Sequence, residues 1–411
     1  MKVDAAFRIL TLVLLLPAAA QAAVGSQLAK LTPSDPKGSG YFGSSVDISG
    51  NTGIVGAYGA GSAYLFDASS GSQLFKLTAN DAAAGDLFGS SVGISGNRAI
   101  VGAYQDDDKG ADSGSAYLFN ATSGSQLNKL VASDGAAGDH FGSSAAISGN
   151  VAIVGAALDD DKGASSGSAY LFNVTSGAQL AKLTANDGAA SDFFGASVAI
   201  SGNVAIVGAY GNDDNGSSSG SAYLFDVTTG TQLFKLTAND AAASDSFGWS
   251  VAISGNTAIV GAYYDEINGS RTGSAYLFDV ASGTQLAKLT ANDGAFNDSF
   301  GISVGISGNI AVVGATGDGD LGALSGSAYL FDITSGVQLA KLTASDGAAN
   351  DRFGNAVGIG GGKAIVGAYS NSDGDGLSGT AYLFSAVPEP NSLLLGALSA
   401  GGLLATLGRR R

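Results

Sequence analysis

The residues of this 411-residue chain most able to do chemistry are carboxylates gathered in short runs. They are Asp106-Asp107-Asp108, Asp159-Asp160-Asp161, Asp213-Asp214, Asp265-Glu266, Asp318-Gly319-Asp320 and Asp373-Gly374-Asp375. Alternating carboxylates with glycine among them suit a hard cation, which takes about six to eight oxygen ligands. Asp106, Asp108, Asp159, Asp161, Asp318, Asp320, Asp373 and Asp375 are the candidate ligands, and Ca2+ is the ion they would hold. The competing and favoured reading is a turn-forming loop whose charge keeps an apolar chain in solution.

Other chemistry is scarce. There is no cysteine, so no disulfide, thiolate nucleophile or sulfur-ligated zinc. The single histidine, His140, cannot supply the imidazole sets of most catalytic metal sites. Gly163-Ala164-Ser165-Ser166-Gly167 and Gly216-Ser217-Ser218-Ser219-Gly220 fit a hydrolase elbow, yet no helix follows either. No catalytic residue is assigned. The one tryptophan, Trp249, could stack on a sugar or anchor a partner, or fill a gap between strands. With 19 basic against 35 acidic side chains and a net charge of −16, nucleic acid is disfavoured as a partner.

All these residues sit in a repeat. Phe-Gly recurs at Phe42, Phe88, Phe141, Phe194, Phe247, Phe300 and Phe353, and Ala-Tyr-Leu-Phe begins at Ala63, Ala116, Ala169, Ala222, Ala275, Ala328 and Ala381. A fixed period of this length marks a propeller or solenoid. Inside one period the predicted strands are Phe141 to Ser148, Val151 to Ala156, Ser168 to Asn173 and Gln179 to Thr184, with Gly149-Asn150 as a tight turn. Four strands, apolar on both faces, must stack against further copies, and a ring leaves only short edges. The body opens on a lone fourth strand, Gln27 to Leu31, and closes on a third strand, Ala381 to Phe384. The expectation is therefore an all-β fold, a seven-bladed β-propeller of four-stranded antiparallel blades whose N-terminal strand completes the last blade.

Two further acids recur. Asp86, Asp139, Asp192, Asp245, Asp298 and Asp351 precede Phe-Gly, and Asp35, Asp81, Asp134, Asp187, Asp240, Asp293 and Asp346 open the connections between periods. Repetition in every copy points to hydrogen bonding in turns and at strand starts. His140 stands in a slot that varies freely between copies, which predicts an exposed side chain.

The segment Phe88 to Tyr104, Phe-Gly-x-Ser-Val-x-Ile-Ser-Gly-Asn followed by Ile-Val-Gly-Ala-Tyr, resembles the FG-GAP repeat of integrin α-subunit propellers and of bacterial exported proteins. The resemblance implies a seven-bladed propeller that binds proteins or glycans at the cell surface, with Ca2+ in Asp-rich loops. The chain departs from it where the integrin-like calcium loop belongs, since a short Ser-Gly-Asn hairpin, as at Ser95 to Asn97, stands there instead.

The two ends read as addresses. Residues 1–22 have the basic start, apolar run and small-residue site of a secretory signal, with cleavage expected after Ala22. Residues 388–411 hold Pro388-Glu389-Pro390, an apolar stretch long enough for a transmembrane helix, and a terminal arginine cluster. That order resembles the PEP-CTERM sorting signal of Gram-negative bacteria, which implies an exosortase-type protease as partner and membrane contact only through the tail. Residues 23–387 are then expected to be an exported adhesion scaffold of the cell surface or matrix. It would recognise a cell-surface protein or extracellular polysaccharide through rim loops, without catalysis. An extracellular carbohydrate-active enzyme and a structural matrix protein without ligand are the alternatives.

Overall fold

A computed structural model describes residues 23–372 and 376–387, and Val24–Val387 form one compact unit. Among the described residues this unit holds seven four-stranded antiparallel sheets and one two-stranded hairpin, Glu266–Ile267 with Ser270–Arg271, and no α-helix. In the third blade the strands are Phe141–Ser148, Val151–Ala156, Ser168–Asn173 and Gln179–Leu183. The second and third are buried along almost their whole length, so they read as continuous apolar runs rather than alternating ones. Register runs Ser148 to Val151, Val151 to Asn173 and Ala169 to Leu183, with a bulge between Leu171 and Phe172.

The last blade is built as expected. Its strands are Val357–Gly360, Lys363–Ala368 and Thr380–Ser385, and Gln27–Leu31 pairs antiparallel with the third as its fourth strand. The first strands of all seven blades line a central channel of about 220 Å3. Small residues such as Gly93, Ala146, Ala199 and Gly305 face it, and Asp47 is the only charged lining residue. Burial pushes the Asp47 carboxyl up to about 6, although the Ile94 and Ile48 amides donate to it.

Apolar surface is buried between blades rather than within them. Ile100, Ala116, Leu118 and Leu130 of the second blade pack against Phe141, Val154, Ala156, Tyr170 and Phe172 of the third. Leu31, Ile365 and Leu383 of the last blade meet Phe42, Val55, Tyr64 and Phe66 of the first, which closes the ring. Each Phe-Gly phenylalanine meets the tyrosine and phenylalanine of its own Ala-Tyr-Leu-Phe strand, as Phe141 meets Tyr170 at 5.5 Å and Phe172 at 5.7 Å. Its amide donates to the carbonyl of Ser113 in the preceding blade at 3.0 Å.

The glycine after it is required by space and by backbone. Gly142 has φ 95°, and a Cβ there would meet the Ser115 carbonyl oxygen at 2.3 Å. Replacing Gly142 with alanine therefore imposes left-handed strain and a clash with the neighbouring blade. The expected cost is roughly 2–5 kcal/mol in chemical denaturation; a change within error would show that the blade junction tolerates a side chain.

Candidate functional site

The acidic loops join the second and third strands of the blades, and each run divides its work. In the second blade Asp106 is buried: its carboxylate accepts from the Tyr117 hydroxyl at 2.9 Å, the Ser115 hydroxyl at 2.9 Å and the Asp108 amide at 3.2 Å. Asp107 turns the loop by accepting from the Asp112 amide. Asp108 is exposed and pairs with Lys129. Asp159 and Asp318 repeat the first role, accepting from Tyr170 and Tyr329 at 2.8 and 2.9 Å. Asp161 and Asp320 repeat the third, pairing with Lys182 and Lys341.

The lysine is the residue that organises these groups. Lys129, from the fourth strand, places its ammonium 2.7 Å from Asp81, 3.1 Å from Asp106 and beside Asp108. Lys182 meets Asp134 at 2.8 Å, Asp159 at 3.0 Å and Asp161. Lys341 meets Asp293 at 2.7 Å, Asp318 at 2.8 Å and Asp320. Each ammonium also lies over a tyrosine ring, Lys129 at 5.3 Å from Tyr117 and Lys182 at 5.2 Å from Tyr170. Burial works against the charge of Lys129 and Lys182, but the carboxylates around them outweigh it and raise both above the ordinary lysine value. At Asp318 burial opposes ionisation, and the Lys341 ammonium, the Asp320 amide and the Tyr329 hydroxyl together hold its pKa below the ordinary value.

The carboxylate triplets Asp81, Asp106, Asp108 and Asp293, Asp318, Asp320 bring their oxygens within 4.8 Å of one another, close enough to ligate a metal ion. The ligand set does not fit calcium as it stands. A lysine ammonium already sits among the oxygens, and three carboxylates fall short of the about six to eight ligands the ion takes. The remaining candidates, Asp373 and Asp375, lie outside the described residues, as do Ala22 and Pro388, Glu389 and Pro390. Among the described residues no helix is long and apolar enough to cross a membrane.

The two recurring acids differ in kind. Asp86, Asp139, Asp192, Asp245, Asp298 and Asp351 each accept from an amide three residues earlier, as Asp139 does from Ala136 at 2.7 Å, which is the predicted turn bonding. Asp35 and its equivalents instead form ion pairs between outer strands of adjacent blades. The pairs are Lys76–Asp35, Lys129–Asp81, Lys182–Asp134, Lys235–Asp187, Lys288–Asp240, Lys341–Asp293 and, across the seam of the ring, Lys30–Asp346.

These seven junctions follow the sequence repeat. A family model described as FG-GAP repeat matches residues 26–73, 71–119, 125–172, 178–225, 231–278, 284–331 and 337–384. The chain belongs to the FG-GAP repeat family. A comparison with curated proteins gave no match. Each FG-GAP match from 125–172 onward begins at the outer strand of one blade and ends on the third strand of the next, one strand out of phase with the sheets.

In this FG-GAP propeller the blades stop being copies at one end of the channel. The residue after the second strand is Tyr58, Tyr104, Tyr210, Tyr263 or Tyr369, with Ala157 and Thr316 in the other two blades. Tyr41 stacks on Tyr58 at 5.0 Å, Tyr104 meets His140 at 5.1 Å, and Phe193 stacks on Tyr210 at 5.0 Å. Trp249 is wedged between Tyr210 at 4.8 Å and Tyr263 at 4.7 Å. His140 is half-buried in this collar, not exposed as its variable slot predicted, because the residue before each Phe-Gly turns inward with φ of 53–59°. The collar tyrosines were missed in the sequence, although the Tyr ending Ile-Val-Gly-Ala-Tyr was the available signal.

Lys182→Met would leave Asp134, Asp159 and Asp161 without their shared cation. The variant is expected to lose roughly 2–4 kcal/mol in denaturant unfolding, most of it from the buried Asp159, the exposed pairs being screened. A loss below about 0.5 kcal/mol would mean that the cluster is held by its hydroxyl and amide donors alone.

Proposed function

We propose that this FG-GAP propeller is an exported, non-catalytic binding scaffold of the cell surface or extracellular matrix, recognising protein or polysaccharide through loops on one rim. One observation carries the reading. The acids of the loop clusters are engaged by lysine, tyrosine, serine or backbone amides, and the blades diverge at an aromatic collar. A glycoside hydrolase needs two carboxylates facing one bond with their ionisation set apart. Here the buried acid of each full cluster is bound to a lysine and a tyrosine. Aromatic side chains beside a recess supply area and shape, which is what recognition uses.

The address rests on the sequence of the two ends, whose basic, apolar and small-residue zones match export and whose Pro388-Glu389-Pro390 tail fits removal by an exosortase-type protease. Multivalent contact through several loops of the rim would make modest affinity sufficient.

The test is to mix residues 24–387 with the extracellular matrix material of the producing cells and follow two readouts. The chain is expected to co-sediment with the matrix and to release no reducing ends or unsaturated products above buffer. Steady product release would establish an enzyme instead, and a chain that stays in the supernatant with matrix and cell surfaces alike would remove the scaffold reading.

A further inference from the structure

We propose that the open half of the collar is a binding site for a neutral glycan, with pyranose faces on Tyr58, Tyr104 and Tyr369. This rests on the scaffold reading and names its ligand class and place.

The recess there measures about 350 Å3, within the ~300–1,000 Å3 usual for small-molecule sites. It is lined by Ser44, Ser90, Ser143, Asn355 and the three tyrosines, contributed by the last blade and the first three. No charged side chain lines it, in a chain whose net charge is −16. An anionic or cationic ligand would lose its hydration there without gaining a counter-charge. A ligand suited to this lining is neutral, has flat apolar faces for the rings, and carries hydroxyls for the serines and the amide. A sugar ring meets all three demands.

The polar groups have bonding capacity to spare. The hydroxyls of Ser44, Ser90 and Ser143 reach only long contacts with the carbonyls of Gly56, Gly102 and Gly155, at 3.4, 3.3 and 3.5 Å. Asn355 donates to the Ser44 carbonyl at 3.2 Å.

The same blade positions show what a filled site looks like. Trp249 occupies the position of Ser44, Ser90 and Ser143, and its ring fills the gap between the tyrosines of the fourth and fifth blades. Between Tyr58 and Tyr104 the equivalent residue is Ser90, and the gap is open. The rim is also lowest beside it. Four residues, 58–61, connect the second and third strands of the first blade, where residues 104–114 do so in the second.

The experiment is calorimetric titration of residues 24–387 with neutral hexasaccharides of glucose, mannose and xylose, with alginate as an anionic probe. Saturable binding of at least one neutral hexasaccharide is expected, at least tenfold weaker in Tyr58→Ala/Tyr104→Ala. Ser90→Trp copies the fifth blade's filling into the open half and is expected to abolish binding while leaving the melting temperature at or above the parent value. That keeps the test clear of misfolding. Absence of binding to every neutral hexasaccharide at millimolar concentration, or binding unchanged in Ser90→Trp, overturns the proposal. Alginate bound equally by parent and Ser90→Trp, with no neutral hexasaccharide bound, would do so too, while leaving the scaffold reading intact.

Discussion

A lysine ammonium in the fourth strand of every blade holds this propeller together at its rim. It reaches back to the aspartate that leaves the previous outer strand, lies over the tyrosine of its own third strand, and in three blades draws two loop carboxylates onto itself. One cation thereby ties a blade to its neighbour and neutralises an acidic loop. A net charge of −16 would otherwise press the acidic rim apart. Isolated surface pairs contribute little, but Lys129, Lys182, Lys288 and Lys341 each also reach a buried aspartate, Asp106, Asp159, Asp265 and Asp318.

The ring follows from the phase of the repeat. Because the seam pairs Gln27–Leu31 with Thr380–Ser385, the last blade is made from both ends of the unit. The seam uses the same devices as the other junctions: Lys30 meets Asp346, and Gln27 accepts from the Ser345 amide as Gln179 does from Ser133. A ring closed by ordinary junctions needs no special cap and leaves no open face to aggregate.

Much of this was legible in the sequence, because period and turn chemistry are local. The Gly149-Asn150 hairpin and the apolar runs gave the strands of the third blade to within one residue, and the orphan Gln27-Leu28-Ala29-Lys30-Leu31 gave the closure. The site was less legible. Lys129 lies 23 residues from Asp106 and 48 from Asp81, so the cluster exists only once strand register and blade stacking are set. The lysine partner of these loops was not legible, because carboxylate spacing is visible in a sequence and the cation that serves it is not. The collar was hidden for the same reason: Tyr210, Trp249 and Tyr263 meet across two blades.

In the acidic loops the space between the carboxylates is taken by a lysine ammonium. Whether a metal can displace that ammonium is read from the melting temperature of residues 24–387 with and without about 1 mM calcium, the range in which extracellular modules bind the ion. No shift is expected in the parent protein, where a lysine ammonium already sits among the carboxylate oxygens. A calcium-dependent rise in the parent itself would contradict this.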